Sequence, residues 1–97
     1  MAKNNQLQDI QVKQVKPSEK AYYLFDGLGL YLEVTPDNSK NWKFRYTYNG
    51  KRRKTSFKSY PRVSLKQARD KRDDYNKLLF DGIDPISYYK EQKELKQ

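Results

Sequence analysis

The sequence predicts an α+β domain, a three-stranded antiparallel β-sheet packed on one face by a C-terminal α-helix. Three observations carry this reading. Apolar and polar residues alternate over 30–35 and again over 42–48, the period of half-buried strands. Asn49-Gly50 stands between two strand-like runs, and both central residues of a type I′ turn need positive φ. From Ser64 onward the apolar spacing becomes helical. The 97 residues suffice for one domain, because two halves of this size would each bury too little without disulfides or metals.

Along the chain, Leu7, Ile10, Val12 and Val15 lie among Lys, Gln and Asn, so residues 1–20 read as a short helix or an extended arm ended by Pro17. Strand texture begins at Tyr22, where Tyr22, Tyr23, Leu24 and Phe25 run into Asp26-Gly27, and Leu30 to Thr35 then alternates. Asp26-Gly27 and Gly29 are explained by a tight turn without a ligand. After the Pro36–Ser39 loop, Trp42, Phe44, Tyr46 and Tyr48 alternate with Lys43, Arg45 and Thr47. A two-residue loop at 49 and 50 sets Tyr48 opposite Lys51, and every later pair then has numbers adding to 99. One face receives Trp42 opposite Phe57 and Phe44 opposite Thr55. The other receives Lys43 opposite Ser56, Arg45 opposite Lys54, and Thr47 opposite Arg52. The sheet is thus apolar on one side and basic on the other, with like charges at Arg45 and Lys54 that oppose pairing in the free hairpin. Ser64 and Gln67 form a capping box, Leu65, Ala68, Tyr75, Leu78 and Leu79 make an apolar stripe, and Gly82 sits where a C′ glycine belongs. A helix over about 65–81 follows, covering Trp42 and Phe44. Asp84-Pro85 starts another helix, whose continuation over 86–97 is polar enough to be a fraying tail or a linker to absent domains.

Composition narrows function. The chain has no Cys and no His, which removes disulfide scaffolds, thiol catalysis, zinc fingers and imidazole chemistry. No paired acid and base occurs in one motif, so no enzyme, cofactor, metal or small-molecule substrate is expected. The net charge is +9. From Lys40 to Arg72 there are thirteen basic residues and one acidic residue, Asp70, so this window alone carries +12 and the remaining 64 residues carry −3. A polyanion surface must be built by this window, and nucleic acid is the first partner it suits. The alternative is a solvated basic surface kept for solubility. The longest near-apolar stretch, Leu28–Leu32, is too short for a membrane span or a signal sequence, which makes a membrane an unexpected partner and the reduced cytosol the expected compartment.

Several strings taken together carry a resemblance: Lys16-Pro17, Asp26-Gly27, Gly29-Leu30-Tyr31-Leu32 with Val34, Ser39-Lys40 with Trp42, Phe44, Arg45 and Tyr46, Asn49-Gly50-Lys51, Tyr60-Pro61, Ser64-Leu65 with Ala68-Arg69, and Gly82-Ile83-Asp84-Pro85. In this order and spacing the chain resembles, from about Leu7 to Pro85, the N-terminal arm-type DNA-binding domain of phage and genomic-island tyrosine integrases, which implies a domain over 1–85 acting at the bacterial nucleoid. The resemblance implies three antiparallel strands and a helix, with the exposed sheet face in the major groove of arm-type sites. It also implies double-stranded DNA, and other integrase domains or protomers, as partners. The Arg, His, Arg and Tyr catalytic constellation of such integrases has no place in a chain without histidine, and none of the nine tyrosines reads as a nucleophile. The family usually has Gly before the Ser/Lys-Tyr-Pro segment. This chain has Lys58 there, so the turn after the third strand is expected to be built differently.

The expected contact residues are Lys43, Arg45, Thr47, Lys51, Arg52, Lys54 and Ser56. A two-stranded ribbon fits the major groove, where Arg pairs bidentately with guanine, so Arg45 and Arg52 are nominated as base readers and the lysines as phosphate contacts. Thr47 and Ser56 add hydrogen bonds, and Lys51 flanks the turn within reach of the backbone. Tyr31, Lys40, Lys58 and Arg69 are further candidates. For Arg69 a pairing with an acid such as Asp26 competes with DNA contact, and Arg53, across from Tyr46 on the covered face, reads as structural. The competing functions are an RNA-binding module, which would show stacking aromatics on its open sheet face, and a protein-interaction domain using residues 86–97. The inferred aromatics mostly face the helix.

Overall fold

The computed structural model describes residues 5–95. Its elements are α1 (Asp9–Gln14), β1 (Tyr22–Gly27), β2 (Leu30–Val34), β3 (Lys40–Tyr48), β4 (Lys51–Ser59), α2 (Leu65–Phe80) and α3 (Pro85–Leu95). The class is α+β as expected, but the sheet has four antiparallel strands in the order β1-β2-β3-β4, not three. The additional strand is β1. Its run Tyr22–Phe25 is apolar throughout, so no alternation separates it from its surroundings in the sequence. The reversal into β2 needs three consecutive positive φ angles, at Gly27 (116°), Leu28 (55°) and Gly29 (94°). Gly29 is required for a second reason, since a methyl group there would lie 2.5 Å from the Arg45 carbonyl oxygen and 2.8 Å from Phe44 Cε1.

The β3–β4 register follows the expected pairs from Tyr48↔Lys51 through Arg45↔Lys54 to Lys43↔Ser56. It then slips by one residue. The next pair is Asn41↔Ser59, so Trp42 is not the direct partner of Phe57 as the register rule required. The extra residue of a bulge absorbs the difference. Lys58 takes the left-handed conformation, φ 75°, and its amide donates to Ser56 Oγ at 3.2 Å. The backbone region is one that glycine adopts freely and lysine at a cost of about 1 kcal/mol. Trp42 and Phe57 both remain buried on the covered face.

That face carries Leu30, Leu32, Val34, Trp42, Phe44, Tyr46 and Phe57 against Leu65, Ala68 and Tyr75 of α2. Tyr75 meets Phe44 and Phe57 edge-on, with ring centres 5.4 and 4.8 Å apart, and Trp42 Nε1 donates to the Val63 carbonyl at 2.8 Å. The predicted capping box of α2 is present on Ser64 and Gln67. Its C-terminus closes in a Schellman motif, with Ile83 N–H donating to Leu78 O and Gly82 N–H to Leu79 O. In α3 the Asp84 carboxylate accepts from the Ile86 amide at 3.2 Å, as an N-cap should, and Tyr89 stacks on Tyr75 at 4.9 Å.

The N-terminal segment does form a short helix, ended before Pro17, and it is pinned at both ends. Leu7 and Val12 join the core. The Gln6 and Leu7 amides donate to the carbonyl and side chain of Asp26, and Lys40 Nζ donates to the Val12 and Lys13 carbonyls at the C-terminal end of α1.

Candidate nucleic-acid interface

The open face of the sheet is assembled by parity. With Leu30, Leu32, Trp42, Phe44 and Tyr46 turned to the core, the intervening residues must point the other way. These are Tyr31 and Glu33 on β2, Lys43, Arg45 and Thr47 on β3, and Arg52, Lys54 and Ser56 on β4. Pairing of β2 with β3 ends at Leu30↔Phe44, and only the Gly29 carbonyl, accepting from Arg45 N–H at 2.9 Å, reaches further. From Tyr46 to Arg53 the hairpin therefore projects as a two-stranded ribbon with Asn49-Gly50 at its tip, both residues at positive φ.

The nominated cations fall into two groups. Lys43, Lys51, Arg52 and Lys54 make no ion pair with any described residue. Arg45 and Lys54 face each other across the ribbon without an intervening acid. Arg45 holds its guanidinium over Phe25, 4.7 Å from the ring centre, and near Tyr31 at 5.7 Å. By contrast, Arg69 is bidentate on Asp26, with Nε to Oδ2 at 2.9 Å and Nη2 to Oδ1 at 2.8 Å, and Nη2 also donates to the Leu7 carbonyl at 2.6 Å. Arg72, 3% exposed, reaches Asp26 at 3.1 Å. Burial alone would raise the carboxyl pKa of Asp26, but the hydrogen bonds from Arg69 and the Leu7 amide, with the charges of Arg69 and Arg72, outweigh it and hold it low. Of the two readings of Arg69, the Asp26 pairing is the one the geometry satisfies.

Three other nominated residues have intramolecular work. Lys40 caps α1 and lies over the Tyr60 ring at 5.5 Å. Ser56 Oγ sits in the bulge, accepting from the Lys58 amide and donating to the Trp42 carbonyl at 3.4 Å. Lys58 itself is exposed at the bulge apex. Arg53 is structural, as its register suggested. It pairs with Asp84, which also accepts from the Tyr46 hydroxyl, and so ties the hairpin to the start of α3. Burial and the Asp84 hydrogen bond push the Tyr46 hydroxyl up to about 12.

Sequence reasoning missed Tyr23 and Phe25. Both lie on the open face of β1, 49% and 47% exposed, packed against Tyr31 with ring centres 5.8 and 5.5 Å away. The expectation that aromatics mostly face the helix holds for Trp42, Phe44, Tyr46 and Phe57 and fails for Tyr23 and Phe25, while Tyr31 stands on the open face that its parity with Glu33 gave it. The signal was absent because all four residues of Tyr22–Phe25 are apolar. Only the pairing Tyr23↔Glu33 and Phe25↔Tyr31 assigns their face.

Comparison with known proteins gives a consistent picture. The family model for the arm DNA-binding domain matches residues 7–92. The chain is 45% identical to the integrase of Enterobacteria phage P4 over 85 residues, which is 86% of this chain and 19% of that protein. It is 42% identical over 92 residues to prophage integrase IntA of Escherichia coli K12, covering 93% of this chain and 22% of the relative. The integrase of Shigella phage Sf6 is 42% identical over 76 residues, 78% of this chain and 20% of its own length. The chain thus spans about a fifth of the length of these curated relatives.

Proposed function

From the premise that this chain belongs to the arm DNA-binding domain family, we propose that it binds double-stranded DNA sequence-specifically at arm-type sites, as the N-terminal module of a site-specific tyrosine integrase, with the ribbon's open face in the major groove. The observation that carries this is the projecting β3–β4 hairpin. Its outward residues Arg45, Thr47, Arg52 and Lys54 are three cations and a hydroxyl with no carboxylate among them. The major groove is about 12 Å wide and admits a two-stranded ribbon, whereas four strands at about 4.8 Å spacing would span more than the groove. The Tyr46–Arg53 tip projects beyond β2 and meets no such obstacle, and Arg45 and Lys54 stand at its base, where β1 and β2 adjoin the ribbon. Arg45 and Arg52 read guanine edges through bidentate hydrogen bonds, and Lys43, Lys51 and Lys54 contact phosphates, joined by Lys58 at the bulge. Arg69 and Lys40 act by holding the fold.

The trio Tyr23, Phe25 and Tyr31 gives the RNA or single-strand reading its one favourable observation. Base stacking needs a free ring face. Phe25 is covered by Arg45, and Tyr23 meets Tyr31 edge-on at 75°, so the trio offers a poor platform for successive bases. Titration of the chain with duplex DNA, single strands and duplex RNA over a salt series is the test. The six cations of this surface, four lysines on phosphates and two arginines in the groove, together neutralise about six phosphate charges and predict a log-log salt slope of roughly −5 on duplex DNA. Equal affinity for duplex RNA, or a slope near zero, would refute the proposal.

A further inference from the structure

The aromatic trio does not serve the core, and the proposed phosphate contacts do not use it. Tyr23, Phe25 and Tyr31 floor one side of a shallow depression of about 370 Å³ on the open face, with Lys43, Arg45 and Lys54 along the other side. Glu33 also lines it. The tyrosine hydroxyls and the cations could each bind a phosphate oxygen, but the Phe25 ring offers one nothing and the Glu33 carboxylate repels it, so phosphate alone does not account for the lining. Base edges in the major groove present what it does match. Guanine shows the acceptor pair O6 and N7 to an arginine fork, cytosine shows an amino donor to a carboxylate, and thymine shows an apolar C5-methyl group.

Arg45 links the two halves of this chemistry. Its guanidinium lies 4.7 Å from the centre of the Phe25 ring. That spacing is comparable with one base step, about 3.4 Å along a strand. A fork placed on guanine would therefore bring the ring surface beside the neighbouring base. Resting on two rings also restricts the arginine before binding, which reduces the ordering cost of a bidentate contact.

Resting on the duplex-binding reading above, we propose that Phe25 and Tyr31, with Tyr23 behind them, form a methyl-reading subsite that takes the C5-methyl group of a thymine next to the guanine held by Arg45. This assigns specificity to β1, the strand whose two faces the sequence pattern does not distinguish. It also explains why a half-exposed Phe stands among solvent-facing positions of a basic sheet.

The test begins with selection of binding sites from a random duplex pool by the whole chain. Each thymine of a selected site is then replaced singly by deoxyuridine, which removes only the methyl group. One position, beside a required guanine, should weaken binding about fourfold, the value of one buried methyl. Phe25→Ala should bind thymine and deoxyuridine duplexes equally while keeping the guanine preference, and Phe25→Leu should restore part of the difference. Arg45→Ala should lose the guanine preference instead. Thermal melts of the variants establish folding, which a half-exposed side chain should leave intact. If no thymine methyl matters, or if its effect survives in Phe25→Ala, the subsite is refuted and duplex binding stands. Enrichment of no duplex at all would overturn the duplex reading itself, and the subsite with it.

Discussion

Two sets of arginines, close in sequence and opposite in circumstance, divide the molecule. Arg69 and Arg72 converge on Asp26, which is fully buried, while Arg45 and Arg52 point outward from the ribbon with no carboxylate partner among the described residues. Both sets belong to the same strongly basic window. Charge density alone does not distinguish them; the presence of an internal counter-charge does. The first set consumes its cations in holding the N-terminal segment, the β1–β2 turn and α2 together. The second leaves Arg45 facing Lys54 across β3 and β4, a repulsion that a polyanion relieves. The comparison teaches that the net charge of a small basic domain overstates its binding surface by the number of cations the fold has already neutralised.

The largest expected effect falls on the buried set. Asp26→Asn removes the buried counter-charge that Arg69 and Arg72 share, leaving Arg72 only its exposed partner Asp73, and should cost about 3–5 kcal/mol in denaturant unfolding. Protein that remains folded should keep its affinity for duplex DNA, since Asp26 does not face the ribbon surface. A loss of affinity with unchanged stability would break the division between the two sets.

Protonation probes the same contrast without mutation. The carboxyls of Asp26 and Asp84 are held below their ordinary range, in each case against the opposing effect of burial, by hydrogen bonds and arginine charge. Groups with depressed folded pKa values stabilise above the unfolded value, about 3.9, and lose that contribution as pH falls through the folded value. Tyr46 runs the other way. Raised to about 12, it contributes fully below its unfolded value of about 10 and loses that contribution as pH rises from there. Stability should therefore fall below about pH 4 and again above about pH 10. Tyr46→Phe should shrink the alkaline limb in melts across pH, to which Tyr75 and Tyr89 also contribute, and should weaken the Asp84 share of the acid limb while leaving the Asp26 share in place.

A smaller effect belongs to the bulge. Lys58→Gly relieves the left-handed strain and should raise stability by about 1 kcal/mol or less. If Lys58 contacts phosphate, the same variant lowers the salt slope of duplex binding by about one unit. An unchanged slope would remove Lys58 from the surface and leave the rest of the account standing.

Most of this organisation was legible in the residues. Asn49-Gly50 determined six successive pairs from Tyr48↔Lys51 inward, and with them the two faces of the hairpin. Ser64, Gln67 and Gly82 marked both ends of α2. Arg53 was recognisable as structural from its place opposite Tyr46. What stayed hidden has physical causes. The slip beyond Lys43 depends on Lys58 adopting a backbone conformation that its side chain does not advertise. The strand β1 could not be separated, or its faces assigned, because period two is invisible in a uniformly apolar run. Asp26 was readable as part of a tight turn and as one acid Arg69 could seek, but its full set of partners lies 19, 43 and 46 residues away, beyond any local pattern.

The adjacent residues Phe44 and Arg45 test the central claim most directly, because the register places them on opposite faces one position apart. Thermal melts and duplex titrations of Phe44→Ala and Arg45→Ala should separate cleanly. Arg45→Ala is expected to melt at or slightly above the parent temperature and to lose about 1–3 kcal/mol of specific binding, with relaxed base preference. Phe44→Ala is expected to lose about 3–5 kcal/mol of stability, with binding lost only through unfolding. The opposite result, Arg45→Ala unfolded and Phe44→Ala folded but unable to bind, would contradict the assignment of the open face as the DNA surface.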